Sequence, residues 1–162
     1  DNVVTVNMGK PKFDWKDIPL ASQQNTQKVL LDEFEAFCLS MGNPHAVIFM
    51  QNLDELESLN LNVVGPRLEK NINFPEFTNI EFACVLEDKT IRMRVWERGV
   101  GVTMACGSGA CATLVAAFKI NKSSKSNKII LDGGSLFVEW LNNGNVTLSG
   151  DTEKVYEGII GG

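Results

Sequence analysis

Histidine is scarce in this sequence, and the few cysteines are not arranged as paired metal ligands. The 162 residues contain one histidine and four cysteines, and no two cysteines have the C-x-x-C spacing. Zinc sites in proteins are built mainly from cysteine and histidine at short, recurring spacings. The composition therefore argues against a zinc-binding module.

An excess of positive charge and a long apolar run are also absent. Lysine and arginine number 15 against 20 aspartates and glutamates, which gives a formal net charge of −5. Proteins that bind nucleic acid or anionic membranes usually present a basic patch. No apolar run approaches the roughly 18 residues that a membrane-spanning helix needs. We therefore expect neither nucleic acid nor a membrane as a partner.

The four cysteines are Cys38, Cys84, Cys106 and Cys111. They could form two disulfides, but secreted disulfide scaffolds are usually smaller and richer in cysteine. We favour free thiols in a reducing cytoplasm. Cys38 and Cys84 lie in strand-like patterns and are expected to be buried, while Cys111 is expected to pack inside a helix.

Length and hydrophobic patterning predict one domain of the α+β class. Alternating apolar residues between turn residues indicate roughly eight strands, and the pairing after Pro75 is expected to be antiparallel. One long helix is predicted from about Gly107 to Asn121, and residues 53–71 are expected to hold one or two short helical turns. The long helix is apolar almost all round, which indicates burial. The expected fold is an antiparallel sheet or barrel wrapped around one central helix.

The stretch VGVTMACGSGACATLVAAF, residues 100–118, places Cys106 where a glycine-rich loop becomes this helix. The first-turn N–H groups and the helix dipole favour an anion, so a carboxylate could bind there. The same dipole predicts that the pKa of the Cys106 thiol lies below its ordinary value of about 8.5. Alternatively, Gly-Ser-Gly only serves a tight turn and Cys106 is a small apolar filler.

Three motifs carry a family resemblance. ERGVGVTMACGSGACA at 97–112, MGNPHAVIF at 41–49 and FPEFTNIEF at 74–82 resemble signatures of the diaminopimelate epimerase family, in the same order. The segments VNMGKPKF and VYEGII also fit, so the resemblance covers essentially the whole chain. It implies the fold of one domain of a two-domain enzyme.

The resemblance also implies a reaction. Family members interconvert LL- and meso-diaminopimelate without a cofactor, for lysine and peptidoglycan biosynthesis. One cysteine removes the α-proton as a thiolate, and a second donates a proton from the opposite face as a thiol. Cys106 matches the second of these. The other belongs to a glycine-rich segment of the amino-terminal domain, and this sequence contains no such segment. The chain is therefore expected to supply half of the site and to be inactive alone.

The motifs assign further roles near Cys106. Gly107 and Ser108 match residues whose backbone N–H groups bind the reacting carboxylate. His45 and Glu97 match residues that tune the cysteines. Without the resemblance, a lone histidine after proline would more often be a satisfied structural residue.

Three residues match ligands of the distal amino-acid end of the substrate: Asn43, Asn79 and Arg98. Glu97 matches a substrate ligand as well. Arginine can bind a carboxylate through two parallel hydrogen bonds, and asparagine can donate or accept. Structural alternatives exist for each of them. The asparagines could serve turns or backbone bonds, and Glu97 with Arg98 could form a surface ion pair.

The resemblance divides the chain into residues 1–151, the carboxy-terminal domain, and residues 152–162, a terminal strand that packs on the absent amino-terminal domain. Without that domain, the terminal residues are expected to be frayed or differently packed. Tyr156 is the candidate contact of a homodimer.

Two other functions remain open. One is a different amino-acid racemase of the same superfamily, such as a proline racemase, although Asn43, Asn79 and Arg98 suggest an elongated substrate. The other is a non-catalytic module of the same fold that binds an amino acid or a partner protein.

Overall fold

The computed structural model describes residues 2–159 and residue 161. Three helices and ten strands are found there. The helices are α1 (Leu53–Ser58), α2 (Leu61–Glu69) and α3 (Gly107–Lys119). The strands are β1 (Val3–Asn7), β2 (Val29–Leu31), β3 (Phe34–Ser40), β4 (Pro44–Phe49), β5 (Asn79–Val85), β6 (Ile91–Glu97), β7 (Gly101–Val102), β8 (Ser126–Leu131), β9 (Gly134–Trp140) and β10 (Val146–Asp151). None of these helices has the length and apolar character needed to cross a membrane.

The strands form one sheet in the order β1-β10-β9-β8-β6-β5-β4-β3-β2, with β7 beside β6. The α+β class is confirmed, but the sheet is mixed, because β4 pairs with β5 and β6 pairs with β8 in parallel. The expectation of antiparallel pairing throughout is wrong at these two positions. Parallel neighbours need a long crossover. Helices α1 and α2 provide the first crossover and α3 the second.

The sheet curls so that its ends approach each other. After β1, the chain continues along β10, where the Met8 N–H donates to the Val146 carbonyl at 2.8 Å. It then reaches β3, where Lys12 and Ser40 form an isolated bridge. This bridge brings the β1 end of the sheet to strand β3 and encloses α3.

Helix α3 lies at the centre of the molecule, as predicted. Its residues from Gly109 to Ala117 are all buried, and it packs against strands β3 to β6 and β8 to β10. Alanines on several faces allow this close packing. The helix ends at Lys119, and Asn121 follows with φ 60°, a left-handed conformation common after helix ends.

Strand β3 separates two hydrophobic clusters. Phe37 and Leu39 face α3, while Ala36 and Cys38 face a second cluster that α1 and α2 cover. The short helices predicted within 53–71 are therefore a second layer on the outer face of the sheet. All four cysteines are free and buried, which confirms the expectations for Cys38, Cys84 and Cys111.

The chain beyond β10 has no helix or strand in residues 152–159, and these residues are exposed. Residues 160 and 162 lie outside the described residues. The division into 1–151 and 152–162 stays a prediction.

Candidate active site

Cys106 is the N-cap of α3. Its backbone is extended, with φ −138° and ψ 108°, and its Sγ accepts a hydrogen bond from the Gly109 N–H at 3.3 Å. The Ser108 hydroxyl lies 3.6 Å from the same sulfur. The amides of Gly107 and Ser108 belong to the first turn, whose N–H groups have no acceptor within the helix. A thiol and two backbone amides without an acceptor inside the helix therefore share one helix terminus.

Burial raises the pKa of the Cys106 thiol to about 11. The negative charges of Glu81 and Glu97 raise this pKa as well, whereas hydrogen bonds from Ser108 and the Gly109 N–H lower it. The prediction of a lowered pKa is therefore wrong for this chain, because burial and two nearby carboxylates outweigh the helix terminus. In this chain, Cys106 is a thiol at neutral pH.

His45 and Glu81 form a buried pair close to Cys106, at the first turn of α3. The parallel register of β4 and β5 places His45 beside Asn79, and Glu81 follows two residues later on the same face. His45 Nδ1 lies 2.6 Å from Glu81 Oε1, and both side chains are fully buried. Glu81 was not among the residues predicted from the sequence, although a glutamate between Ile80 and Phe82 in an apolar strand indicates a buried carboxylate.

Asn43 connects this pair to the helix terminus. Its Oδ1 lies 3.0 Å from His45 Nε2, and its Nδ2 donates to the Ser108 hydroxyl at 3.4 Å. A line of contacts thus runs from Glu81 through His45, Asn43 and Ser108 to Cys106. The structure therefore brings four residues predicted from the sequence together: His45, Asn43, Ser108 and Cys106.

Glu97 is the last residue of β6, and Arg98 begins the turn that follows it. Glu97 Oε1 accepts from the Thr103 hydroxyl at 2.5 Å, and the Arg98 guanidinium donates to the Glu76 carbonyl at 3.2 Å. Within residues 2–159, no carboxylate pairs with Arg98, so the surface ion pair between Glu97 and Arg98 is not formed. The exposed Arg98 side chain has donors that a ligand could use.

Asn79 fixes this turn from within the chain. Its Oδ1 accepts from the Arg98 N–H at 2.9 Å, and its Nδ2 donates to the Pro44 carbonyl at 2.8 Å. Both polar groups of the buried amide are used, so Asn79 ties the turn after β6 to the start of β4.

A second carboxylate that sequence reasoning missed supports the same turn. Glu69, at the end of α2, is 5% exposed. One oxygen accepts from Trp96 Nε1 at 2.7 Å, and the other accepts from the Gly99 N–H at 2.8 Å. Glu69 therefore holds both sides of the Glu97–Arg98 dipeptide. No local pattern marks this role.

Tyr156 does not belong to the line of contacts from Glu81 to Cys106: its side chain is exposed, and its predicted role in a dimer stays a prediction.

Four cavities of about 320, 590, 250 and 290 Å³ are lined by residues outside that line of contacts. Among the described residues, no group of three or more His, Cys, Asp or Glu side chains could hold a metal ion.

Solved structures with low sequence identity share the fold. A probable proline racemase from Agrobacterium radiobacter has a TM-score of 0.60 at 15% identity over 93% of this chain and 51% of its own length. A predicted epimerase from Pseudomonas aeruginosa has a TM-score of 0.59 at 14% identity over 96% of this chain and 59% of its own.

Sequence comparison is more specific. The family model described as diaminopimelate epimerase matches residues 37–155. A diaminopimelate epimerase from Rhodospirillum centenum is 46% identical over 99% of this chain and 55% of its own length. A diaminopimelate epimerase from Acetivibrio thermocellus is 43% identical over 98% of this chain and 58% of its own length. The chain thus spans little more than half the length of these curated relatives. With the motifs around Cys106, His45 and Asn79 inside the matched region, the chain belongs to the diaminopimelate epimerase family.

Proposed function

We propose that this chain supplies one half of the active site of a diaminopimelate epimerase, with Cys106 as one of two proton-transfer residues. The observation that carries the proposal is the position of Cys106. Its sulfur caps α3 beside the amides of Gly107 and Ser108, within a line of contacts to His45 and Asn43.

The proposed reaction moves two protons at one carbon. A base on one face removes the α-proton, so the C–H bond breaks and its electron pair stays on the carbon next to the carboxylate. A thiol on the opposite face then gives its proton to that carbon. Cys106, a thiol at neutral pH, suits the donor role in one direction, and the reverse reaction exchanges the roles. The base is the thiolate of the second cysteine, which comes from the amino-terminal domain of the full-length enzyme.

The remaining residues have roles in binding and tuning. The Gly107 and Ser108 N–H groups and the α3 dipole stabilise the negative charge that develops on the substrate carboxylate. Arg98, Asn43 and Asn79 bind the distal amino-acid end, Asn79 through the second N–H of its amide, and Glu97 is a further substrate ligand. His45 and Glu97 adjust the proton affinity of the two sulfurs.

An exposed apolar strip supports the idea that the site is completed from outside the chain. Val100, Val102 and Met104 are 73%, 43% and 62% exposed, and they lead directly to Cys106. Exposed apolar surface of this kind often marks an interface. We propose that the amino-terminal domain covers this strip, that the full-length enzyme is a cytoplasmic homodimer, and that Tyr156 contributes to its interface.

A chimera tests the activity. These 162 residues would replace the matching region of the Rhodospirillum centenum relative, and α-proton exchange would be followed in deuterated water. We expect the chimera to exchange diaminopimelate but not proline or hydroxyproline, and the 162 residues alone to exchange none of them. Exchange of proline in preference to diaminopimelate would contradict the proposed substrate. Robust epimerisation by the 162 residues alone would contradict the half-site.

A further inference from the structure

Glu81 is a fully buried carboxylate on a strand that is otherwise almost entirely apolar. Its Oε1 contacts His45 Nδ1 at 2.6 Å, and its Oε2 has no hydrogen-bond partner among the described residues. Moving a carboxylate and an imidazole from water into the protein interior is costly, so a buried pair of this kind is weak grounds for stability. The incomplete hydrogen bonding of Glu81 makes a purely structural role less favourable still.

The absence of a side chain at Gly109 lets Glu81 approach Cys106. A Cβ atom at residue 109 would lie 2.8 Å from Glu81 Oε1 and 3.1 Å from Cys106 Sγ. The carboxylate and the sulfur therefore border the same narrow space at the first turn of α3. After burial, the charge of Glu81 is the largest influence that raises the pKa of Cys106.

Glu81 also orients the imidazole of His45. Glu81 Oε1 lies against Nδ1 and Asn43 Oδ1 lies against Nε2, so the imidazole is held between two hydrogen-bond acceptors that together fix its orientation. The titratable groups around Cys106 are Glu81 from β5, Glu97 from β6 and Cys111 within α3. Of these, Glu81 alone contacts His45, so it acts on both the histidine and the sulfur.

We propose that Glu81 is a positioning residue with two tasks. It holds the His45 ring towards Asn43, and its carboxylate, which borders the same space at Gly109 as Cys106 Sγ, disfavours a negative charge on that sulfur in the substrate-free chain. The importance of these tasks for catalysis rests on the proposed function, but their effects on His45 and Cys106 do not. They can therefore be measured without a substrate.

The first test is the rate at which iodoacetamide modifies Cys106 at pH 8, quantified on the Cys106 peptide by mass spectrometry. Glu81→Gln removes the charge and keeps the side-chain size. We expect the loss of this negative charge to lower the pKa of the Cys106 thiol by about one unit or more, which raises the fraction of thiolate. The nucleophilicity of a thiolate falls as its pKa falls, so the alkylation rate should rise by about threefold to tenfold. Glu35→Gln, an exposed change on β3, is the matched control and should leave the rate unchanged. Equal rates in the two variants would overturn the charge effect.

The second test uses the imidazole signals, which are unambiguous because the chain has one histidine. The Nδ1–H proton should resonate far downfield in the unsubstituted chain and move upfield in Glu81→Gln. Glu81→Asp keeps the charge but shortens the side chain, so it should shift this resonance while leaving the alkylation rate near its original value. A missing downfield resonance in the unsubstituted chain would overturn the orienting task, even if Glu81→Gln did not fold. An unsubstituted chimera without epimerase activity would contradict the proposed function and leave the effects of Glu81 on His45 and Cys106 intact.

Discussion

At the scale of single residues, the ionisation of Cys106 depends on groups that are distant in sequence. The helix terminus and the Ser108 hydroxyl favour the thiolate, but burial and the charges of Glu81 and Glu97 favour the thiol more strongly. Desolvation outweighs a helix dipole because the dipole amounts to only about half a charge. Cys106 in the substrate-free chain is therefore an acid rather than a ready base.

This ionisation predicts a loss of stability in alkali. The folded chain keeps the Cys106 proton until the pH reaches about 11, whereas an unfolded chain releases it near about 8.5. The contribution of the Cys106 thiol to the free energy of unfolding is thus fully present below about pH 8.5. It falls at higher pH, because the unfolded state releases the proton before the folded state does. Between pH 9 and pH 11 we expect the free energy of unfolding to fall by about 2 kcal/mol more in the unsubstituted chain than in Cys106→Ser. Parallel urea titrations of both proteins measure this, and identical pH slopes would contradict it.

At the scale of elements, the sequence places Cys106 where a glycine-rich loop becomes α3, because this feature depends on neighbouring residues. The parallel pairing of β4 with β5, which positions Glu81 beside His45, could not be predicted in the same way. It depends on a crossover of two short helices whose own patterns are weak. The support of the turn by Glu69 depends on the same crossover.

Glu69 is expected to be essential for the order of that turn. Glu69→Ala leaves the Trp96 indole N–H and the Gly99 N–H without their acceptor, and we expect this to cost about 1–3 kcal/mol of stability. Hydrogen exchange of the Trp96 indole should accelerate, which nuclear magnetic resonance can follow together with urea unfolding. Glu76→Ala, a change at an exposed neighbour of the same turn, should alter neither. Slow exchange of the Trp96 indole in Glu69→Ala would show that the turn does not need this carboxylate.

At the scale of the whole molecule, α3 is the element around which the sheet closes. Its burial could be predicted from an apolar sequence with no polar face. Closure of the sheet through Lys12 and Ser40, and the second cluster beneath α1 and α2, could not, because they depend on contacts between segments far apart in the chain.

Leu114, fully buried in α3, reports on this core. We expect Leu114→Ala to lower the free energy of unfolding by about 2–5 kcal/mol, since the enclosing strands cannot collapse onto the cavity. Leu30→Ala, at a leucine that is 66% exposed on β2, is the matched control and should cost much less. Chemical denaturation of both variants gives the comparison, and a similar loss in the two would argue against a core centred on α3.

Proton transfer by Cys106 is the step on which the proposed function depends most. Deuterium incorporation at the α-carbon of diaminopimelate, measured in the chimera with Cys106→Ala and with Cys111→Ala, tests it directly. Cys111 lies in the same helix and is buried within the core, so its substitution controls for the loss of a buried sulfur. We predict that Cys106→Ala loses exchange by at least about a hundredfold, while Cys111→Ala keeps most of it. Undiminished exchange in Cys106→Ala would contradict the account.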